Sequence, residues 1–312
     1  IIQNNNSQSG RGGGIACYYT NGNSTSKIIL SNLTIRNNIC SDNGGGIYAF
    51  NSQLNISNSK IYGNSAHSGA AIGGQGPFEP IVNCEFYDNT GNLSVMVGEF
   101  DLINCSFVDN YLTNSNSNVY ELDFQGTSSI INTIIASAHP INVGGQLSIS
   151  HSLIEDSINS INYPLSSALV WGSGNISTIP AFNDTSINDF SLSNFSQCIG
   201  AGTTIGAPTS DILGNSRPNP AGSNPDMGAY EHILATYDIL GCMDTLATNF
   251  DPLANINDNS LCTYCYAVAD FGLDSIVACD STVLSTPVSI VSTYSWQTTN
   301  YTGLGSTSEL SL

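Results

Sequence analysis

The sequence predicts an all-β fold, a parallel β-helix, and three observations carry that expectation. A phrase of three small or slender residues and an apolar one returns as Gly12-Gly13-Gly14-Ile15, Gly44-Gly45-Gly46-Ile47, Gly69-Ala70-Ala71-Ile72 and Ser94-Val95-Met96-Val97; the last three copies begin 25 residues apart. A second phrase, Asn-x-x-[Ile/Phe]-x-x-Asn, follows each copy, at Asn32 to Asn38, Asn58 to Asn64, Asn83 to Asn89 and Asn104 to Asn110. Between the phrases apolar residues such as Leu54 and Ile56 alternate with polar ones, the two-residue period of a strand. Paired-helix repeats need about 33 residues or more, so this period leaves no room for them. Short strands repeated in register, each unit unable to bury its apolar face alone, describe a stacked β-coil.

The coils occupy residues 1–172, the clear repeats ending near residue 158. After the fourth copy the spacing loosens, yet Asn132-Thr133-Ile134-Ile135 and His151-Ser152-Leu153-Ile154 continue the same strand, for five to seven coils in all. Asn suits the corners because it tolerates left-handed backbone and its amide can bond its own chain. Stacked Asn amides can also bond one another along the coil axis. Asp88 and Asp109, just before the corner Asn, read as turn caps, and Lys60 and Glu85 as a surface ion pair between adjacent coils.

Composition limits function. Only 9% of the 312 residues are charged, and the net charge is −19, with five Lys plus Arg against 24 Asp plus Glu. That balance argues against nucleic acid, whose phosphates need basic side chains, and against anionic lipid surfaces. No apolar run reaches the roughly 18 residues of a membrane span, so no membrane insertion is expected. The chain reads as an internal, monomeric fragment of a longer polypeptide. Nine cysteines favour an oxidising compartment. Cys242 and Cys262 bracket one module and Cys265 and Cys279 the start of the next; Cys17 and Cys40 flank a coil. Cys84 and Cys105 are equally open to a disulfide or to simple stacking, and Cys198 is left over.

From residue 173 the grammar changes to Pro- and Gly-rich turns: Ile179-Pro180-Ala181-Phe182, Asp189-Phe190-Ser191-Leu192, Asp211-Ile212-Leu213-Gly214-Asn215-Ser216-Arg217 and Asp226-Met227-Gly228-Ala229-Tyr230-Glu231. This stretch resembles the C-terminal part of bacterial right-handed parallel β-helix proteins of the choice-of-anchor Q type. It departs from them at Phe195-Ser196-Gln197, where the family has Ser-Pro. The resemblance implies a right-handed helix on an exported bacterial protein, and no established catalytic residues. Residues 173–236 are expected to cap the helix by hiding the open strand edges of the last coil. Within them Arg217 is expected to pair with Asp211 or Asp226.

Residues 237–264, from Gly241-Cys242-Met243-Asp244 to Cys262, resemble a short Cys-bracketed repeat of secreted Bacteroidota proteins, with one residue inserted before the second cysteine. Residues 265–312, with Val283-Leu284, Val288 to Val291 and Trp296, resemble the front of a PKD- or Ig-like β-sandwich and form an incomplete one.

Two places are candidates for chemistry. Glu99-Phe100-Asp101-Leu102 and Glu121-Leu122-Asp123-Phe124 stand 22 residues apart, and alternation turns the phenylalanines and leucines inward and the four carboxylates outward. Stacked, Glu99 would lie over Glu121 and Asp101 over Asp123, a set of oxygens suited to Ca²⁺ or, at about 5 Å, to glycosidase chemistry. A plain acidic solvent face is the simpler reading. Asp251, Asn255, Asn257 and Asp258 resemble the alternate ligands of a calcium loop but lack its Gly and closing Glu. Ca²⁺ is therefore the one cofactor expected. The four His stand apart and no Ser/His/Asp order emerges. Two functions follow. The first is a secreted or cell-surface structural or adhesion protein without catalysis. The second is a carbohydrate-active or glycan-binding β-helix facing extracellular polysaccharide or a host surface. An ice-binding face is weaker, for no Thr-x-Thr ladder occurs.

Overall fold

The computed structural model describes residues 1–8, 10–18, 27–114, 119–137, 139, 141–264, 283–285 and 309–311. Two compact units divide the chain, Ile1–Tyr237 and Asp238–Leu312.

The first unit is a parallel β-helix with four faces. One coil shows the pattern: Ile47–Phe50 on the first face, Gln53–Ser57 on the second, Lys60–Tyr62 on the third and Ser65–Ala66 on the fourth. Successive coils stack these segments into three seven-stranded parallel sheets and one of five strands. Apolar side chains form columns inside: Ile47, Ile72, Met96 and Leu122 on the first face, Ile61, Phe86, Phe107 and Ile135 on the third. Phe86 and Phe107 stack 4.5 Å apart at 7°. All eight of these residues are buried, as are Phe100, Leu102 and Phe124.

Both asparagines of the second phrase are structural, for different reasons. The first (Asn32, Asn58, Asn83, Asn104, Asn132) turns the corner between the second and third faces with φ between 50° and 56°, or 48° at Asn58. The second forms a buried ladder. Asn38, Asn64 and Asn89 each donate Nδ2 to the Oδ1 of the next rung, at 3.0, 3.1 and 3.0 Å, and each also donates to a carbonyl of the previous coil. Their backbone N–H groups donate to the same oxygens. Gly14 and Gly46 sit tight against the next coil and the ladder: a Cβ on Gly14 would meet the Gly46 carbonyl at 2.6 Å and Asn38 at 3.0 Å, and one on Gly46 the Ala71 carbonyl at 2.6 Å and Asn64 at 3.3 Å.

Residues 176–237 do not lie over the last coil alone, as an end cap would. They run back along the outside of the third face. Asn132 accepts from Thr203 N–H, Asn104 donates to the Asp226 and Gly228 carbonyls, Ser106 accepts from Ala229 N–H, and Asn83 donates to the Ser210 carbonyl. The strap is therefore tied to successive coils. Its seat is apolar on the outside as well as the inside: Tyr87 and Val108 pack with Phe190, Ala229 and Tyr230, and Ile134, Ala136 and Leu153 with Leu192, Cys198 and Met227. Strands apolar on both sides are strands covered on both sides.

Arg217 pairs with neither expected aspartate. Its Nε donates to Glu231 at 2.7 Å, one Nη to Asn83 at 2.7 Å and the other to the Gly228 carbonyl at 3.1 Å. Asp211 and Asp226 instead accept strap backbone N–H groups, Asp211 from Leu213 and Glu231, Asp226 from Gly200 and His232.

In the second unit the expected disulfide joins Cys242 and Cys262, and Leu240–Gly241 pairs in parallel with Ile256–Asn257. Val283–Ser285 and Glu309–Ser311 pair antiparallel. The remainder of the expected sandwich, with Trp296, Cys265 and Cys279, lies outside the described residues. Cys84 and Cys105 stack as free thiols in adjacent coils, and Cys17, Cys40 and Cys198 are also free.

Candidate functional site

The acidic quartet is not assembled. Strand register pairs Asp123 with Val97, Glu99 with Pro77 and Asp101 with Ser129. Glu99 thus ends a first-face strand, Asp101 begins a second-face strand, and Glu121 and Asp123 both belong to the first face. The 22-residue offset fails because seven residues separate Leu112 from Tyr120, so the coil repeats 26 residues later at Met96 and Leu122 and 28 later at Leu102 and Ile130. Asp101 accepts from the Ser129 hydroxyl at 2.6 Å, and Asp123 from Gln125 and Asn142 at 2.7 and 2.8 Å.

Glu121 is the larger correction, for it points inward and is fully buried. Its neighbour in register is Val95, the third member of a slot filled below by Gly46 and Ala71. Glu121 occupies the slot where the ladder ends, and its Oε1 accepts from Asn110 Nδ2 at 2.9 Å. Among the described residues Oε2 has no hydrogen-bond partner. Burial raises its pKa to about 7, against the opposing pull of the Asn110 amide.

Glu85 and Asp226, both also raised, sit in internal joints too. Lys60 and Glu85 are adjacent in register as expected, with Nζ 2.7 Å from Oε2, but the glutamate side chain is wholly buried. Tyr230 of the strap closes over the pair, its hydroxyl accepting from Lys60 at 2.7 Å and donating to Glu85 at 3.0 Å. Burial pushes the Glu85 pKa up, opposed by Lys60, and raises the Tyr230 phenol, helped by Glu85. Asp226 rises to about 7 through burial and the nearby Glu231. The doubly apolar strands Glu85–Tyr87 and Ser106–Val108 were the sequence signal for this covered face.

In the small module each candidate calcium ligand serves the local backbone. Asp251 accepts from Leu253 N–H, Asn255 from Ile239 N–H, Asn257 from Met243 N–H and Asp258 from Ser260 N–H. Among the described residues no group of three or more His, Cys, Asp or Glu side chains is placed to hold a metal.

One concavity lies elsewhere, on the outside of the first face. It encloses about 450 Å³ between Arg11, Tyr48, Gln75, Glu99 and Gln125, over a floor that includes Gly74 and Gly98. The floor is low because side chains there have no room: a Cβ on Gly74 would lie 1.8 Å from the Ala49 carbonyl. Arg11 is already engaged, donating to Asp42 at 3.0 Å and to the Tyr48 hydroxyl at 2.7 Å. Asn43 Oδ1, buried at the same edge, has no hydrogen-bond partner among the described residues.

These features define a parallel β-helix with an external strap and a polar cleft on its first face. Comparison with known protein families, with curated proteins and with solved structures finds no match for this chain.

Proposed function

We propose that this chain is a rigid, non-catalytic stalk within an exported bacterial surface protein of the choice-of-anchor Q type, serving adhesion or display. One observation carries the reading: the two carboxyl groups raised to about 7, at Glu121 and Asp226, lie in joints between coils or between coil and strap, as does the raised Glu85, and not in the cleft. Shifted carboxyls mark catalysis when they face a cleft, and here they face the protein's own amides and its few cations. Ladder, aromatic stacks and strap all stiffen one axis, as a spacer requires. The Cys-bracketed module, and the resemblance of the sequence after it to the front of a β-sandwich, suit a mosaic surface chain.

The test is an assay of the purified chain on neutral and uronic-acid polysaccharides with and without Ca²⁺, beside a Glu99→Gln/Asp101→Asn variant. No turnover is expected under any condition. Turnover that the variant abolishes would replace this reading with an enzymatic one. Antibody labelling of intact producing cells, expected to equal that of permeabilised cells, tests exposure separately.

A further inference from the structure

We infer that the outer side of the first face binds a neutral oligosaccharide, seated in the cleft between Arg11 and Glu99 and lying along the coil axis. Several observations converge there. The cleft volume of about 450 Å³ falls in the range of small-ligand sites. Its unused groups are hydrogen-bonding and uncharged or acidic: no described residue bonds the Gln75 carboxamide or the Glu99 carboxylate.

Rings adjoin these groups. In register, Tyr18 lies beside Phe50 and Phe50 beside Gln75, so two outward aromatics lead to the cleft. Tyr18 is 53% exposed and Phe50 half-buried. Away from the cleft the face continues as a bonded polar row: Asn142 donates to Asp123, and Asn162 to Asn142 and to the Tyr120 hydroxyl. From Tyr48 through Gly73, Val97, Asp123 and Asn142 to Asn162 the row crosses five strand spacings, about 24 Å at ~4.8 Å each.

A ligand that fits must present hydroxyls to amides and carboxylate oxygens and apolar faces to rings, and it must be extended. That is a chain of sugar units. Charge selects among such chains. Arg11 is neutralised by Asp42, Glu99 carries an unpaired carboxylate, and the molecule has a net charge of −19, so uronic-acid polymers are repelled. Glu99 stands opposite Pro77 and meets no second carboxylate in register, so binding without cleavage is expected. In that one respect the inference rests on the non-catalytic reading: cleaved products would overturn that reading and leave the binding site standing.

The experiment is calorimetric titration of the whole chain with hexasaccharides of cellulose, mannan, amylose and β-1,3-glucan, and with hexagalacturonate, against Gln75→Ala/Glu99→Ala and a Gln146→Ala control on the second face. Saturable binding of at least one neutral hexamer is expected. The double variant should weaken it about tenfold, as loss of one to two hydrogen bonds implies, and the control should leave it unchanged. Melting of each variant is measured in parallel; if the double variant melts early, Gln75→Ala alone serves, since its side chain bonds no protein group. No neutral hexamer bound at millimolar concentration, tighter binding of hexagalacturonate, or equal binding by folded variants would overturn the inference.

Discussion

Glu121→Gln should make this protein more stable at neutral pH, although it alters a fully buried residue. The carboxyl has a pKa of about 7 in the folded chain against an ordinary 4.5, and the first cause is burial. A raised carboxyl pKa means the folded state holds a proton that the unfolded state releases, between pH 4.5 and 7. Stability therefore falls as pH rises through that window and stays low above it. A displacement of two to three pH units corresponds to about 3 kcal/mol, an order-of-magnitude ceiling. Glutamine keeps an oxygen for the 2.9 Å bond from Asn110 and has no charge to bury. The variant should match the parent near pH 4.5, within about 1 kcal/mol, and exceed it by up to about 3 kcal/mol at pH 8. Chemical denaturation of both proteins at steps from pH 4 to 8 reads the difference curve, in which the titration of Asp226, common to both, cancels. A flat difference across this range, or a variant weaker at every pH, would refute the argument.

Other perturbations probe other joints. Asn89→Ala removes the oxygen that accepts from both Asn64 nitrogens and the donor to the Ile61 carbonyl; several buried groups lose partners, and about 3–5 kcal/mol of stability should go, visible in denaturation midpoints. Arg217→Ala leaves Glu231 buried without its cation, at a cost of about 3–5 kcal/mol, and limited proteolysis should then cut within residues 176–237 before it cuts the coils. Equal cleavage rates in parent and variant would argue that the strap does not depend on this pair. Gly74→Ala drives a Cβ to 1.8 Å from the Ala49 carbonyl and should lower the melting temperature sharply, whereas Gly214→Ala, with nothing within 4 Å but φ at +89°, should cost only about 1–2 kcal/mol.

Much was written in the repeat. Phrase spacing alone implied stacked parallel strands, the inward columns and the corner asparagines, because each is local: the period, the alternation and the left-handed corner belong to one coil copied along the chain. The Lys60–Glu85 adjacency and the Cys242–Cys262 bond were legible for the same reason. Three matters were not. Glu121 looked outward by simple alternation, but the strand Tyr120–Phe124 enters from a corner where the residue before Leu122 turns into the ladder. Its register depended on the number of residues between Leu112 and Tyr120, which no periodicity specifies. The strap looked like an end cap because Pro- and Gly-rich sequence shows where regular coils stop and not where the chain goes next. Its course is decided by long-range contacts, Tyr230 with Lys60 and Glu85 and Arg217 with Asn83, between residues more than 130 positions apart. The cleft also depends on such distance, since Arg11, Gln75, Glu99 and Gln125 meet only after consecutive coils have stacked. A sequence repeat can specify each rung of this molecule, but what lies against the outside of the rungs is a matter of the folded shape alone.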